Sequence, residues 1–237
     1  GELAKQAAPS WPRSQYLNVW IVRSLPHGAA GWAYYPGTAP DGTDGIIMLH
    51  NYLGSTGTSS LGRASTLTHE VGHYLNLAHP WGSTNDPGLP SNCDIDDWVD
   101  DTPNTIGWSS CVQNGTSCGS LDNVQNFMEY SYCGRMYTYG QGLRMQATLN
   151  SHASQRNNLW TESNLIATGI HESSPIETCP PIADFDAEVN SLCTGANIQF
   201  NNLTYNTLDL DSVYWDLPGT ETGFSNDYNA EVIYNQA

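Results

Sequence analysis

The segment from His69 to His79 constrains this chain of 237 residues more than any other feature. It reads His-Glu-Val-Gly-His-Tyr-Leu-Asn-Leu-Ala-His. Apolar residues recur around it at steps of three and four, which predicts an amphipathic helix that begins near Ser65. Two histidines four residues apart lie on one face of such a helix, so both imidazoles can bind one zinc ion. The segment therefore predicts a zinc site on a helix.

The rest of the segment supplies a third ligand and a base. A straight helix would carry His79 away from the other two histidines, so the chain has to turn near Asn76. After Gly, Asn is the residue that best tolerates the positive φ of such a turn. Glu70 follows the first ligand, where its carboxylate reaches a water molecule rather than the metal. We therefore predict that His69, His73 and His79 bind zinc and that Glu70 is the general base.

The net charge of the chain argues against two classes of partner. Seven Lys and Arg oppose 24 Asp and Glu, which gives a formal net charge of -17. Nucleic acids and anionic membrane surfaces attract clustered Lys and Arg, so we expect neither as a partner. The longest apolar run is about as long as Val19–Val22, far short of the ~20 residues that a membrane span needs. We therefore expect no membrane insertion.

The charge is also unevenly distributed along the chain. Residues 173–237 contain ten acidic residues and no Lys or Arg. A Pro-containing stretch at residues 173–180 marks the join, because Pro favours turn and extended conformations. We therefore predict a catalytic domain at residues 1–172, a linker at 173–180 and a second module at 181–237.

Local patterns predict an α+β chain. Strands are expected at residues 16–22, 31–35 and 45–50, where β-branched and aromatic residues concentrate between turn signals. Residues 80–137 are expected to be largely irregular. A second helix is expected from about Gln141 to Leu159, and its predicted buried face consists of Leu143, Met145, Leu149 and Leu159. Short strands are expected within residues 185–200 and 213–217.

The six cysteines indicate the compartment. An even number favours disulfides in a secreted protein, whereas reduced metal-binding thiols are the weaker alternative. Four of them lie in the irregular region, where three pairings are possible. No secretion signal opens the chain, so we expect a mature form from which a signal and a pro-segment have been removed.

The irregular region is unusually acidic. No Lys or Arg occurs between Arg63 and Arg135, and six aspartates crowd one part of this interval: Asp86, Asp94, Asp96, Asp97, Asp100 and Asp101. Neighbouring carboxylates repel unless they are solvated or a cation lies among them. A solvated acidic loop and a calcium loop are both compatible with this pattern.

Several segments resemble one family of zinc peptidases. The His69–His79 segment resembles the extended zinc signature of the metzincins, with Asn76 in place of their usual Gly. Asn126–Cys133 is similar to the Met-turn of the same clan. The segments Thr138–Met145, Leu17–Val22 and Gly31–Gly37 resemble the pappalysin family within that clan. Together these segments cover most of residues 15–169.

The resemblance implies a fold, an activity and several roles. The fold would be a metzincin-type α+β catalytic domain with a twisted mixed sheet, an active-site helix and a C-terminal helix. Met128 would lie beneath the zinc, and Tyr130 would face the metal and stabilise the oxyanion. The strand at residues 31–35 would pair with an extended protein or peptide substrate. We expect the enzyme to be a monomer.

The resemblance also assigns disulfides and a calcium segment. It implies the pairs Cys93–Cys118 and Cys111–Cys133, which leaves Cys179–Cys193 to pair in the second module. Residues 97–103 resemble the segment that supplies calcium ligands in the family; Asp97 and Asp101 are the first candidates, and Asp100 and Thr102 are weaker ones. Relatives that cut before arginine carry an acidic residue where this chain has Tyr132, so an apolar or mixed preference is expected.

The last part of the chain has a separate resemblance. Pro181–Phe185, Cys193–Phe200 and Val213–Gly219 are similar to the opening strands of a polycystic-kidney-disease (PKD) module, which is an Ig-like β-sandwich. Residues 181–237 are shorter than a complete module, so we expect a partial sandwich and a natural protein that continues beyond Ala237. A spacer role and a substrate-binding role are both open.

These observations favour a secreted zinc endopeptidase that hydrolyses peptide bonds with zinc-activated water and Glu70 as general base. The expected cofactors are Zn²⁺ and Ca²⁺. Two other classes remain open: a non-peptidase zinc hydrolase, and a catalytically silent binding protein stabilised by a metal. A structural zinc site normally carries a fourth protein ligand and does not need the glutamate.

Overall fold

The computed structural model describes residues 2–40, 42–174, 180–187, 195–205 and 212–234. The chain divides into two units, Gly1–Ser173 and Ser174–Ala237. Each unit has a core of its own. No helix in the described ranges is long and apolar enough to cross a membrane.

A small mixed sheet forms the base of the first unit. Its strands are β1 (Val19–Val22), β2 (Gly31–Ala33) and β3 (Ile46–Leu49), in the order β1-β3-β2. β3 runs parallel to β1 and antiparallel to β2. Ile46, Ile47 and Met48 are fully buried because β3 is the central strand. The strands are shorter than predicted but lie where the sequence places them, and β2 is left at the edge.

Helix α2 packs against the sheet and carries the histidine motif. A short helix α1 (Glu2–Ala7) precedes β1, and α2 spans Thr66–Tyr74. The buried side chains of Ile46, Tyr74 and Leu75 form the core between sheet and helices. Six apolar side chains pack around them: Ala33, Leu67, Val71, Met145, Leu149 and Leu159. The motif is thus fixed to the most buried part of the unit.

The second long helix is shorter than predicted. α3 spans Tyr139–Leu149 and begins at a capping box formed by Thr138 and Gln141. A 3-10 turn follows at Ala153–Asn158, and α4 spans Glu162–Ala167. The prediction of one helix to Leu159 is therefore wrong. The prediction of a buried Leu143 is also wrong, since that side chain is 48% exposed.

A buried ion pair explains why the helix ends early. Ser154 and Gln155 have φ values of 49° and 61°, which turn the chain so that Arg156 points inward. The Arg156 guanidinium donates two hydrogen bonds to the Asp44 carboxylate, with N–O distances of 2.7 and 2.9 Å. It also lies over the Tyr74 ring, 3.5 Å from the centroid. This contact ties the segment after α3 to the start of β3 and the end of α2.

The region between α2 and α3 is irregular, as predicted. Its regular elements are two short strands, β4 (Thr116–Ser117) and β5 (Ser120–Leu121), and a 3-10 turn at Pro90–Asp94. Two disulfides cross-link it, Cys93–Cys118 and Cys111–Cys133, which are the pairs that the family resemblance implies. Such closed loops typically contribute about 2–4 kcal/mol each.

The second unit contains two small antiparallel sheets. β6 (Phe185–Ala187), β7 (Asn197–Asn202) and β10 (Ala230–Ile233) form one sheet in the order β10-β7-β6. β8 (Trp215–Asp216) and β9 (Phe224–Ser225) form the other. The buried core of the second unit consists of Leu217, Ala230 and Val232. Cys179 and Cys193, the third expected pair, lie outside the described residues.

The Asp44–Arg156 pair generates a stability prediction. Asp44→Asn removes a carboxylate from a guanidinium that has no access to water, and an unpaired buried charge typically costs about 3–5 kcal/mol. We expect the free energy of unfolding to fall by about 3 kcal/mol, measured by urea denaturation. Asp94→Asn, an exposed matched control, should change it by less than about 0.5 kcal/mol. Equal changes in both variants would show that the pair does not stabilise the unit.

Candidate metal centre

Helix α2 places two histidines and one glutamate on the same side. His69 and His73 are one turn apart, and their ring centroids are 4.8 Å from each other. Both side chains and that of Glu70 are buried. The four-residue spacing thus brings two imidazoles together, as expected for residues i and i+4 of a helix.

The turn after α2 brings the third histidine to the first two. Asn76 has φ 73°, in the left-handed region that Asn tolerates better than most residues. The N–H of Leu77 donates to Gly72 O at 2.9 Å and that of Asn76 to His73 O at 3.0 Å, the two hydrogen bonds of a Schellman C-cap. The chain therefore reverses at Asn76 and returns His79 to the helix.

The three imidazoles converge through one nitrogen each. The facing side-chain nitrogens of His69, His73 and His79 all lie within 4.8 Å of one another. His73 Nε2 and His79 Nε2 are 3.2 Å apart. Among the described residues, no other group of three or more His, Cys, Asp or Glu side chains has its ligand atoms this close together.

The other nitrogen of each ring bonds a backbone carbonyl. His69 Nδ1 is 2.8 Å from Phe127 O, His73 Nδ1 is 2.7 Å from Leu77 O, and His79 Nδ1 is 2.9 Å from Thr84 O. A carbonyl only accepts, so each Nδ1 carries the proton and each Nε2 keeps its lone pair. This arrangement fixes both the tautomer and the orientation of metal-binding imidazoles.

Burial keeps the histidines neutral. It lowers the pKa of His69 to about 3, with a contribution from nearby His73, and it lowers the pKa of His73 to about 4. Burial also lowers the pKa of His79 well below its ordinary value. Neutral imidazole is the form that binds a metal, so the cluster is ready to do so at neutral pH.

Glu70 lies beside the cluster with a free carboxylate oxygen. Its Oε2 is buried and has no hydrogen-bond partner among the described residues. Its Oε1 lies 3.3 Å from the position that a Cβ on Gly31 would take, which places the carboxylate against edge strand β2. Burial raises the pKa of Glu70 to about 8, and a nearby cation would oppose this shift. Three neutral imidazoles beside one unpartnered carboxylate fit the donor set of a catalytic zinc site.

The segment Asn126–Cys133 packs beneath the cluster. Met128 is fully buried, and its Sδ lies 2.2 Å from the position that a Cβ on Gly72 would take. Asn126 fixes the turn from two sides, because its Oδ1 accepts from Met128 N at 2.9 Å and its Nδ2 donates to Gln141 Oε1 at 2.8 Å. The turn thus connects the α3 capping box to α2.

Tyr130 stands next to the imidazoles. Its ring centroid is 5.5 Å from that of His69 and 4.9 Å from that of His79. Its hydroxyl donates to Asn85 Oδ1 at 3.4 Å. Burial raises its pKa further above the usual value, so the phenol keeps its proton at neutral pH. It therefore remains a hydrogen-bond donor beside the imidazoles.

Two aromatic residues of the site carry no signal in the sequence motif. The Trp81 ring stacks on His79 with a centroid distance of 4.5 Å and an interplanar angle of 6°. The Tyr35 hydroxyl lies 3.3 Å from His73 Nδ1. The sequence offers one hint: Trp81 lies only two residues after His79. In the structure its side chain is fully buried.

The acidic stretch is only partly buried. The Asp97 side chain is buried. Its Oδ1 accepts from Val99 N at 3.0 Å, and its Oδ2 has no hydrogen-bond partner in the part of the chain that the structure describes. Burial raises the pKa of Asp97 to about 7. Asp100 and Asp101 are exposed, and Asp101 Oδ2 accepts from Gly140 N at 2.8 Å near the start of α3. Thr102 is buried, with its Oγ1 3.4 Å from Thr138 Oγ1.

Residues 3–150 match the Peptidase M43 family, described as Pregnancy-associated plasma protein-A. This span is more than half of the chain, and it contains all three histidines and the Met128 segment. The chain therefore belongs to the Peptidase M43, or pappalysin, family of metalloproteases. The family predicted from the sequence is confirmed.

Individual relatives agree with this assignment. An extracellular metalloprotease of Arthroderma otae is 31% identical over 137 residues, which are 54% of this chain and 49% of that protein. Extracellular metalloprotease 1 of Coccidioides posadasii is 36% identical over 144 residues, 55% of this chain and 48% of that protein. The chain thus spans about half the length of the curated relatives it matches.

The fold of this chain resembles that of a solved structure, mirolysin in complex with compound 9. The TM-score is 0.54 at 28% sequence identity, and the match covers 66% of this chain and 60% of that chain. The α+β fold therefore resembles a metzincin catalytic domain.

The packing of Met128 against α2 generates a second prediction. Ala normally stabilises a helix over Gly by about 1 kcal/mol, but overpacking a core typically costs about 1–3 kcal/mol. Since Met128 is fully buried, we expect Gly72→Ala to lower the free energy of unfolding by about 1–2 kcal/mol. Gly142→Ala in α3, where nothing lies within 4 Å of the new Cβ, should raise it by about 0.5–1 kcal/mol. Thermal unfolding of both variants checks this, and stabilisation by both would contradict the packing role of Met128.

Proposed function

We propose that this chain carries the catalytic domain of a secreted zinc-dependent endopeptidase that cleaves peptide bonds in proteins. One observation carries the proposal: three neutral imidazoles converge beside the unpartnered carboxylate of Glu70. The extracellular metalloproteases among its relatives and the two disulfides support secretion. The strongly acidic composition supports a protein or peptide substrate rather than nucleic acid, and we expect a monomer.

Each residue of the site has its own role in the proposed hydrolysis of a peptide bond. His69, His73 and His79 would hold the zinc through Nε2. Bound zinc would supply a Lewis acid that polarises the scissile carbonyl and makes water more acidic. Glu70 Oε2 has no hydrogen-bond partner among the described residues. It accepts the proton of the attacking water and passes it to the leaving amine. The Tyr130 hydroxyl exchanges its hydrogen bond to Asn85 Oδ1 for one to the oxyanion.

Edge strand β2 is the proposed substrate platform. Among the strands that the structure describes, β2 pairs only with β3, so its outer edge offers unpaired N–H and C=O groups to an extended peptide. Gly31 in this strand lies against Glu70, so a peptide added to the edge would run past the general base. Tyr132 replaces the acidic residue of arginine-specific relatives, and we expect no preference for basic residues from that position.

We also propose a calcium ion at the acidic stretch. The buried, unpartnered Asp97 Oδ2 supports this, because a cation would offset the cost of burying that oxygen. Asp97 is therefore the first ligand candidate, and Thr102, also buried, is the second. Asp101 is a weaker candidate than the sequence indicates because its carboxylate already accepts from Gly140 N, and exposed Asp100 is the weakest.

The domain limits remain a proposal as well: residues 1–172 as the catalytic domain, 173–180 as the linker and 181–237 as a partial PKD-like, Ig-like β-sandwich. The antiparallel strands of the second unit support the sandwich. A spacer role and a substrate-binding role are both compatible with it.

Glu70→Gln tests the proposed general base. The amide keeps the shape but cannot accept the proton, and general bases typically contribute about 10²–10⁴-fold. We expect casein hydrolysis by the zinc-loaded chain to fall by at least about 100-fold, with zinc content unchanged by metal analysis. Exposed Glu162→Gln is the matched control and should retain full activity. Full activity of Glu70→Gln with zinc bound would refute the assignment, and wild-type hydrolysis of small esters but not proteins would indicate a non-peptidase zinc hydrolase.

Calcium removal tests the second metal. Selective chelation of calcium with zinc replenished should lower the midpoint of thermal unfolding by several degrees, since a ligand that binds only the folded state stabilises it. Asp97→Asn should abolish this calcium-dependent shift, whereas Asp94→Asn should retain it. An unchanged midpoint on chelation of the wild type would refute the calcium proposal.

A further inference from the structure

A single arginine lies at the entrance to the histidine helix. Arg63 is three residues before α2, and its N–H and C=O belong to the turns that lead into it. A turn closed by the hydrogen bond from Thr66 N to Arg63 O keeps the Cα atoms of these two residues within about 7 Å, and the helix from Thr66 to His69 adds about 5 Å. Arg63 therefore lies no more than about 12 Å from His69, which an extended peptide spans with about three residues.

The Arg63 guanidinium stacks on an aromatic ring, and no described residue accepts a hydrogen bond from it. Its central carbon lies 4.5 Å from the Tyr52 ring centroid. In the part of the chain that the structure describes, no carboxylate forms an ion pair with it. By contrast, Arg156 is paired with Asp44, and Arg144 donates to the backbone carbonyls of Asp97 and Trp98.

Two tyrosines, Tyr52 and Tyr132, place Arg63 beside the segment that carries Tyr130. Tyr132 follows Tyr130 by two residues and is 54% exposed. Burial and Tyr52, which hydrogen-bonds it, raise the pKa of the Tyr132 hydroxyl, and the charge of Arg63 opposes them. The position that a Cβ on Gly62 would take lies 3.8 Å from Tyr132 O and 3.9 Å from Tyr132 Cβ. The loop that carries Arg63 therefore packs against the segment that borders the imidazoles.

We infer that Arg63, stacked on Tyr52 beside Tyr132, binds an aspartate or glutamate side chain of the substrate within three residues of the scissile bond. This inference rests on the proposed peptidase function. Stacking orients the planar guanidinium in advance, so less entropy is lost when its N–H fork binds a carboxylate. Among the described residues, a guanidinium beside the site that has no carboxylate partner favours an acidic substrate residue.

Cleavage-site profiling of a denatured proteome tests the inference. The zinc-loaded full chain should enrich Asp and Glu about fivefold or more at one position within three residues of the cut. Arg63→Glu should remove the enrichment, and Arg63→Gln should reduce it. Arg23→Glu, a charge reversal at an exposed arginine of the same unit, should leave it unchanged.

A matched pair of peptides, with Asp or Asn at that position, gives a second readout on the wild type alone. The ratio of their kcat/KM values should fall several-fold as the salt concentration rises, because salt screens exposed charges. Cleavage without acidic enrichment, or enrichment that survives Arg63→Glu, would overturn this inference while leaving the proposed function intact. Failure to cleave any protein would overturn the proposed function and this inference with it.

Discussion

Three hydrogen bonds, from His69, His73 and His79 to backbone carbonyls, determine how the rest of the site is arranged. The carbonyls come from three separate segments: the turn after α2, the loop at Thr84 and the turn at Phe127. Because the rings are buried, an unpaired Nδ1–H would cost about 1–3 kcal/mol, so each segment is constrained to present its carbonyl. The positions of the loops and the orientation of the ligands therefore depend on each other.

The same constraint extends to α3. Phe127, which accepts from His69, lies between Asn126 and Met128, and Asn126 binds both Met128 N and the Gln141 side chain. Gln141 also accepts from Thr138 N in the capping box of α3. Hydrogen bonds and the short segment from Asn126 to Met128 thus connect His69 to the start of α3. In a buried network, loss of one member leaves other polar groups unsatisfied, which makes the arrangement cooperative.

Local patterns in the sequence predict the parts of the site that local physics controls. The spacing of His69 and His73 follows from helix geometry, and the turn at Asn76 follows from its tolerance of positive φ. The carbonyl partners of the three histidines could not be predicted from the sequence, because every residue has a backbone carbonyl. The end of α3 was mispredicted because Asp44, 112 positions away, binds Arg156 in the interior. Leu143 is exposed because it lies about 200° around the helix from Met145, which packs on the core. The significance of Arg63 follows only from contacts with residues that are distant in the sequence, Tyr52 and Tyr132.

The central claim is that three imidazoles, each oriented by a carbonyl, form one zinc site with no further protein ligand. X-ray absorption at the zinc edge of the purified chain tests it most directly. The account predicts one zinc per chain with three imidazole nitrogens at about 2.0–2.1 Å and no sulfur neighbour. A zinc–sulfur distance of about 2.3 Å, a fourth imidazole, or a chain that binds no zinc would contradict it.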